Sequence, residues 1–382
     1  MDFSFSPEEL RIRERAAEVA RKVAPHAHEW DEQNKLTDEL REIMRESGLA
    51  RLMVPAAYGG ETEKLDPLYI ALVREQLMAA SSAADALFAL QGIGSNAITT
   101  VGTEEQKQRW LPKFASMEAL AAVALTEPDT GSDLRSITTT MTADGDKLIV
   151  NGAKSFISNA PYADVYATLV KEDGQLSLML IPKDTPGVTF GQTPDLIAPH
   201  VIGEIFFDNV ELSAADRLGE PGKGLEAALG TLAIFRVSVG AAAVGLAEAA
   251  LKVAIKHTQV RQNKGKPLAR IGAVAALLAD AKVDLEQARW VTYWAAWSAR
   301  QDPLAAISKT SLAKVAATEA ADRVTDRCVQ VMGRFGLLAG SEIERLAREA
   351  RPMRIYEGAN EVLRLTIARD LPGEYQLDGA SA

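Results

Sequence analysis

The hydrophobic pattern changes period twice along the chain. From residue 6 to 118 apolar positions recur at helical spacing. Ser6-Pro7-Glu8-Glu9 supplies an N-cap, a first-turn proline and first-turn acids. Leu10, Ala17 and Val23 continue a stripe that Pro25 interrupts. Residues 38–48 form a second helix stopped by Gly48. Residues 67–80 and 83–101 give two more apolar helices. Thr103 and Gln106 make a capping box for another, which Trp110-Leu111-Pro112 should end. From about 119 to 215 the period falls to two. Strands are expected at 147–152, 165–170, 176–181 and 205–210, with Asn-Gly, Asp-Gly and Pro-Gly turns between them. Single hairpins would not stand alone, so a small antiparallel barrel or sandwich is implied. After the glycine-rich connector 219–224 the helical period returns. Ala-rich helices run at roughly 224–262, 268–300, 303–334 and 341–350, with a last one from about 358. Short connections between long helices suggest an up-and-down bundle.

Three domains follow: helical over 1–118, a β-domain over 119–215 and a helical bundle over 216–382. A chain of 382 residues buries more than one core. The formal charge of −10 disfavours a general nucleic-acid binder, because phosphate recognition needs a basic face. The single cysteine, Cys328, forms no internal disulfide and fits a reducing compartment. His26, His28, His200 and His257 show no metal-ligand spacing. The acidic start Met1-Asp-Phe-Ser lacks signal composition, and no window has about 20 uninterrupted apolar residues. The expectation is a cytoplasmic protein without a membrane span. Gly222-Lys223 lacks the spacing of a phosphate loop, and no Gly-x-Gly-x-x-Gly follows a strand.

Two stretches carry candidate chemistry. Val123 to Leu125 ends an apolar run, and Thr126-Glu127-Pro128 then turns into Thr130-Gly131-Ser132-Asp133. An apolar strand followed by hydroxyls and free N–H groups suits a flat amphipathic cofactor. Phe156-Ile157-Ser158 places an aromatic and a hydroxyl on one face of a regular strand. Pattern alone leaves open two ordinary turns and a half-buried strand. Near the end, Arg354-Ile355-Tyr356-Glu357-Gly358-Ala359-Asn360 sets a carboxylate at a turn before a helix. Pattern alone leaves open a helix-start residue there.

The Thr126-Glu127-Pro128 and Gly131-Ser132-Asp133 pair resembles the signature of the acyl-CoA dehydrogenases. Phe156-Ile157-Ser158-Asn159 resembles that family's second flavin-contacting strand, and Ile355-Tyr356-Glu357-Gly358 its catalytic motif. The likeness runs from Phe3 to about Leu371. It implies a helical domain, a β-barrel and a four-helix bundle. It also implies FAD, an acyl-CoA substrate, a homotetramer and an electron-transferring flavoprotein as electron acceptor. Glu357 would be the base that takes the α-proton. Some relatives carry the base just before a matching arginine; here that position is Phe235, ahead of Arg236.

The remaining roles also come from the resemblance. Val123, Leu125 and Thr126 would contact the flavin pyrimidine, with Gly131 and Ser132 on the following turn and Ser132 also reaching the acyl-CoA. Phe156 would lie beside the isoalloxazine, next to Ile157, and Ser158 near N5. Arg236 would lie near the CoA tail, although an ion pair on a helix surface stays open for it. Tyr356 and Gly358 would contact the acyl-CoA substrate. Arg261 would reach a neighbouring subunit's FAD diphosphate, Gln330 and Gly333 the adenosine half, and Asn360 would follow the base as a cofactor contact. Gly92-Ile93-Gly94 and Phe235 are candidates for shaping the acyl pocket. Four positions depart from the family: Ala233, Lys264, Gly272 and Arg334. Lys264 and Arg334 would replace lost contacts by pairing with diphosphate; altered cofactor affinity is the alternative. A flavin oxidase on the same scaffold, or a helical binding protein that has lost FAD, is the rival reading.

Overall fold

The computed structural model describes residues 4–198 and 200–375. Phe3, the acidic start before Ser4 and positions 376–382 of the expected bundle lie outside the described residues. The chain divides into two compact units. One runs to Ile70 and resumes over Ala80–Leu232; the other takes Ala71–Ala79 and everything described from Ala233 on.

The first unit begins with helices α1 (Pro7–Val23), α2 (Ala27–Gln33) and α3 (Asp38–Ser47). Ser6 caps α1 through a reciprocal box, with Glu9 N donating to Ser6 Oγ at 3.2 Å and Ser6 N donating to Glu9 Oε2 at 2.8 Å. Helix α4 (Pro67–Ala80) opens in this unit, and α5 (Ser82–Val101) and α6 (Glu104–Ala115) complete its helices. Thr103 and Gln106 form the expected box on α6. Pro112 does not end α6, which runs a further turn to Ala115. Phe114 and Ala115 in that turn are buried, and their burial outweighs the hydrogen bond that the proline cannot make.

The strands of the first unit are β1 (Ala121–Ala124), β2 (Thr140–Asp144), β3 (Lys147–Ser158), β4 (Val165–Glu172), β5 (Gln175–Pro182), β6 (Val188–Phe190), β7 (Ile202–Leu212) and β8 (Arg217–Leu218). They form one sheet in the order β6-β7-β3-β2-β4-β5-β8, with β1 beside β4. Most pairs are antiparallel, but β1 and the start of β2 run parallel to β4. The sheet is therefore mixed where antiparallel pairing was expected throughout. On β4, Val165, Ala167 and Leu169 face a core shared with Leu111 and Phe114. Tyr166 and Val170 face the opposite core with Ile205 and Phe207. Burial on both faces explains the unbroken apolar run of that strand.

Gly94 packs α5 onto β1 without a gap, since a Cβ there would lie 2.6 Å from the Ala121 Cβ. Gly92-Ile93-Gly94 thus lies in a buried helix face.

The second unit contains most of α7 (Gly224–Val260), then α8 (Gly272–Gln301), α9 (Ile307–Met332), α10 (Glu342–Ala350) and α11 (Asn360–Glu374). Alanines 243, 247, 250 and 254 of α7 share a core with Ala281, Leu285, Ala317, Val324 and Leu346, and their small side chains let the helices approach closely. Among the described residues α7 alone is long and apolar enough to cross a membrane, and 72% of its most apolar window is buried. A search for uninterrupted apolar runs misses it, because Arg236 breaks the run. Residues 71–79 join this unit from α4: Tyr293 donates its hydroxyl to Glu75 at 2.5 Å.

Candidate active site

In the first unit, a buried ion pair fixes the turn after β1. Glu127 is 3% exposed. Its carboxylate accepts from Thr138 N at 2.6 Å, Thr138 Oγ1 at 2.7 Å, Thr139 N at 2.9 Å and Lys154 Nζ at 2.9 Å. Lys154 Nζ also donates to the Leu125 carbonyl at 3.0 Å, and Ser155 N to the Thr126 carbonyl at 3.0 Å. The backbone of Leu125 and Thr126 is thereby locked to β3, while Gly131 and Ser132 remain exposed. Burial alone would raise the Glu127 pKa, but the bonds from Thr139, Thr138 and Lys154 hold it down at about 2. Burial pulls the Lys154 ammonium down to about 8 against the pull of Glu127.

This pair has a pH signature. A carboxyl depressed in the folded state stabilises above its unfolded pKa, and that contribution is lost as pH falls through the folded value. Stability should therefore decline between about pH 4.5 and pH 2. Urea midpoints of Glu127→Gln should show a shallower decline across that window than those of the parent protein; equal slopes would remove the assignment.

The Phe156 strand is not regular. Its pairing with β7 shifts between Lys154 and Ile157, and Phe156 adopts a φ of +55°. This bulge breaks the alternation expected from the sequence. Phe156 stands 62% exposed beside Ile157 at 2%. A large aromatic held outward at a costly backbone geometry makes Phe156 a candidate for a ligand-facing surface. Ser158 shares a 2.8 Å hydrogen bond with His200 Nε2, and burial holds that imidazole down at about 4, neutral at pH 7.

In the second unit, Glu357 sits on the turn before α11 with a φ of +51°, followed by Gly358 at +105°. Only a glycine adopts the second value without strain. Cations from two helices hold consecutive carbonyls of this turn. Arg236 Nε donates to the Glu357 carbonyl at 3.2 Å, and Lys314 Nζ to the Gly358 carbonyl at 2.9 Å. Lys314 Nζ also donates to Asn360 Oδ1 at 2.9 Å, and Asn360 Nδ2 to Thr318 Oγ1 at 3.0 Å and Glu319 Oε1 at 3.1 Å. Burial pulls the Lys314 ammonium down to about 8 despite the negative charge of Glu357, and it lowers Arg236 in the same way. The Glu357 side chain is 14% exposed, and Arg74 Nη1 lies 3.8 Å from its Oε1.

Comparison with known proteins decides what this arrangement belongs to. The N-terminal, middle and C-terminal domain patterns of acyl-CoA dehydrogenase match residues 6–118, 122–210 and 222–371. The chain belongs to the acyl-CoA dehydrogenase family. It is 35% identical over 361 residues to cyclohex-1-ene-1-carbonyl-CoA dehydrogenase of Geobacter metallireducens, covering 92% of this chain and 94% of the relative. Butyryl-CoA dehydrogenase from Megasphaera elsdenii superposes with a TM-score of 0.92 at 30% identity, covering 97% of this chain and all of that one. An acyl-CoA dehydrogenase complexed with FAD from Bacillus anthracis superposes at 0.90 and 31% identity, covering 97% of this chain and 68% of that one.

Within this acyl-CoA dehydrogenase, the site residues expected from the sequence fall into three groups. Val123 lies on β1, Leu125 and Thr126 just after it beside β3, and Phe156, Ile157 and Ser158 on β3, with Gly131 and Ser132 on the turn that follows β1. Arg236, Glu357, Gly358 and Asn360 gather at the α11 turn, with Tyr356 38% exposed beside them. Arg236 lies beneath the turn at 9% exposure instead of on a helix surface, and Asn360, at 1%, already has both side-chain ends engaged by protein groups. Arg261 stands with Arg334: their guanidinium carbons lie 5.5 and 5.1 Å from the Phe335 ring, near exposed Gly333. Gln330 is exposed on the last turn of α9. Phe235 is fully buried.

Sequence reasoning missed Arg74, Lys314 and the role of Glu127 with Lys154. A signal existed for Arg74: Ile70-Ala71-Leu72-Val73 runs straight into it on an apolar helix, and an isolated cation there implies a buried partner.

Proposed function

We propose that this acyl-CoA dehydrogenase converts an acyl-CoA thioester to its trans-2-enoyl-CoA, with Glu357 as the base that removes the α-proton. The observation that carries the reading is the Glu357 turn: a carboxylate largely withdrawn from water, on a backbone held from below by Arg236 and Lys314. Arg236 and Lys314 engage the carbonyls of this turn, which fixes the backbone that carries the Glu357 carboxylate. The N–H of a left-handed turn is suited to polarise the thioester carbonyl and acidify the α-carbon.

The first unit fits a flavin. The exposed Phe156, the hydroxyl of Ser158 and the locked backbone of Leu125 and Thr126 offer an aromatic face beside polar groups. These residues, with Val123, Ile157 and the Gly131-Ser132 turn, would hold FAD. Its chemistry there is acceptance of hydride from the β-carbon, which no side chain performs. Tyr356, Gly358 and Ser132 would orient the acyl-CoA.

Transfer of electrons to an electron-transferring flavoprotein and assembly as a homotetramer belong to the same reading. The exposed Trp290, Trp294 and Trp297 on α8, spaced to share one helix face, support an assembly surface. The exposed pair Arg261 and Arg334, with no carboxylate partner among the described residues, suits a diphosphate.

The test is an absorption spectrum of the purified protein before and after anaerobic addition of butyryl-CoA and cyclohex-1-ene-1-carbonyl-CoA. A flavin spectrum that bleaches with either is the expected result. Protein that takes up no flavin on reconstitution would overturn the reading, and stoichiometric hydrogen peroxide in air would convert it to an oxidase.

A further inference from the structure

Three cationic side chains from three helices converge on the Glu357 turn, and they act on different parts of it. Arg236 from α7 and Lys314 from α9 bind backbone carbonyls. Arg74 from α4 is the one that faces the carboxylate, 3.8 Å from Oε1 and itself only 3% exposed. Its Nη1 donates to Ser238 Oγ at 2.9 Å, and Ser238 is anchored in turn by donating to the Phe235 carbonyl at 2.6 Å. The guanidinium is therefore directed by a second buried residue. A buried cation on an apolar helix is strongly unfavourable unless its surroundings compensate it.

We propose that Arg74 is the positioning residue of the base: it aims the Glu357 carboxylate and keeps it ionised before the substrate binds. The inference rests on Glu357 being the base. An opposite charge within about 4–6 Å favours the ionised carboxylate by about 1–3 pH units. Arg236 and Lys314 add to that field from two other helices, while the charges of Glu361 on α11 and Glu319 on α9 favour the Lys314 ammonium. Removing Arg74 leaves the other cations in place but takes away the one directed at the carboxylate.

The holoenzyme and its Arg74→Gln, Arg74→Lys and Glu357→Gln variants would be mixed anaerobically with whichever of butyryl-CoA and cyclohex-1-ene-1-carbonyl-CoA bleaches the parent flavin faster. The bleaching rate would be followed against pH, with solvent deuterium incorporation at the α-carbon as a second readout. In Arg74→Gln the acid limb should move up by about one pH unit, and deuterium incorporation at low pH should fall in step. Arg74→Lys should return the limb close to the parent position while its plateau rate stays lower, because an ammonium keeps the charge and loses the guanidinium's direction. An unmoved acid limb in Arg74→Gln, with Glu357→Gln inactive, would overturn the role of Arg74 and leave the base in place. A Glu357→Gln enzyme as active as the parent would instead overturn the base itself. Should Arg74→Gln not fold, an Arg74→Lys plateau equal to the parent's would overturn the positioning role.

Discussion

Glu357→Gln should slow flavin bleaching by an acyl-CoA about 10²–10⁴-fold, the contribution of a positioned general base. Glutamine has the same size and tolerates the same backbone, but its amide takes no proton at neutral pH. The turn that carries it is held through carbonyls by Arg236 and Lys314, so the substitution leaves those supports intact. Phe235, ahead of Arg236 on α7, is apolar and takes no proton, so it offers no substitute. Stopped-flow absorbance checks this directly, with flavin content and thermal midpoint measured on the same samples. A variant that bleaches within threefold of the parent would mean that another group takes the proton.

Lys154→Met should be the most destabilising single change in the first unit. It strands the Glu127 carboxylate at 3% exposure with its ammonium partner gone, and breaking a buried pair from one side costs about 3–5 kcal/mol. The Leu125 carbonyl loses its partner at the same time. With two compact units, the transition to follow is that of the first unit, not a single global free energy. Pairing Lys154→Met with Glu127→Gln should recover part of the loss, because a neutral amide is cheaper to bury than an unpaired charge. Circular dichroism and flavin release both report the transition. A Lys154→Met midpoint equal to the parent's would show that Thr138 and Thr139 alone support the carboxylate.

Much of the fold is legible from local rules. The Ser6 and Thr103 caps, the Gly48 stop and the Ala-rich helices of the second unit are written in short stretches, and the structure has them where those stretches place them. Failures came where distant residues decide. Pro112 stays inside α6 because Phe114 beyond it is buried. The Phe156 bulge arises from a register shift against β7, which no residue near Phe156 announces. The site divides in the same way. Glu357 and the Thr126 turn are recognisable as motifs. The residues that hold them, Lys154, Lys314 and Arg74, sit 27, 44 and 283 positions from their partners, beyond the reach of any spacing rule.

The placement of residues 71–79 bears on how the chain is made. During synthesis these residues emerge long before Ala233, the start of the rest of their unit. At about 5–20 residues per second, the roughly 150 residues in between take on the order of 10–30 s. Throughout that wait Arg74 lacks Ser238 and Glu75 lacks Tyr293, the partners given above. The nascent chain must therefore keep an apolar, doubly charged helical segment soluble with its permanent neighbours still untranslated. Ribosomes stalled before and after residue 300 offer the place to look: protease resistance of the 71–79 segment should appear only in the longer chain.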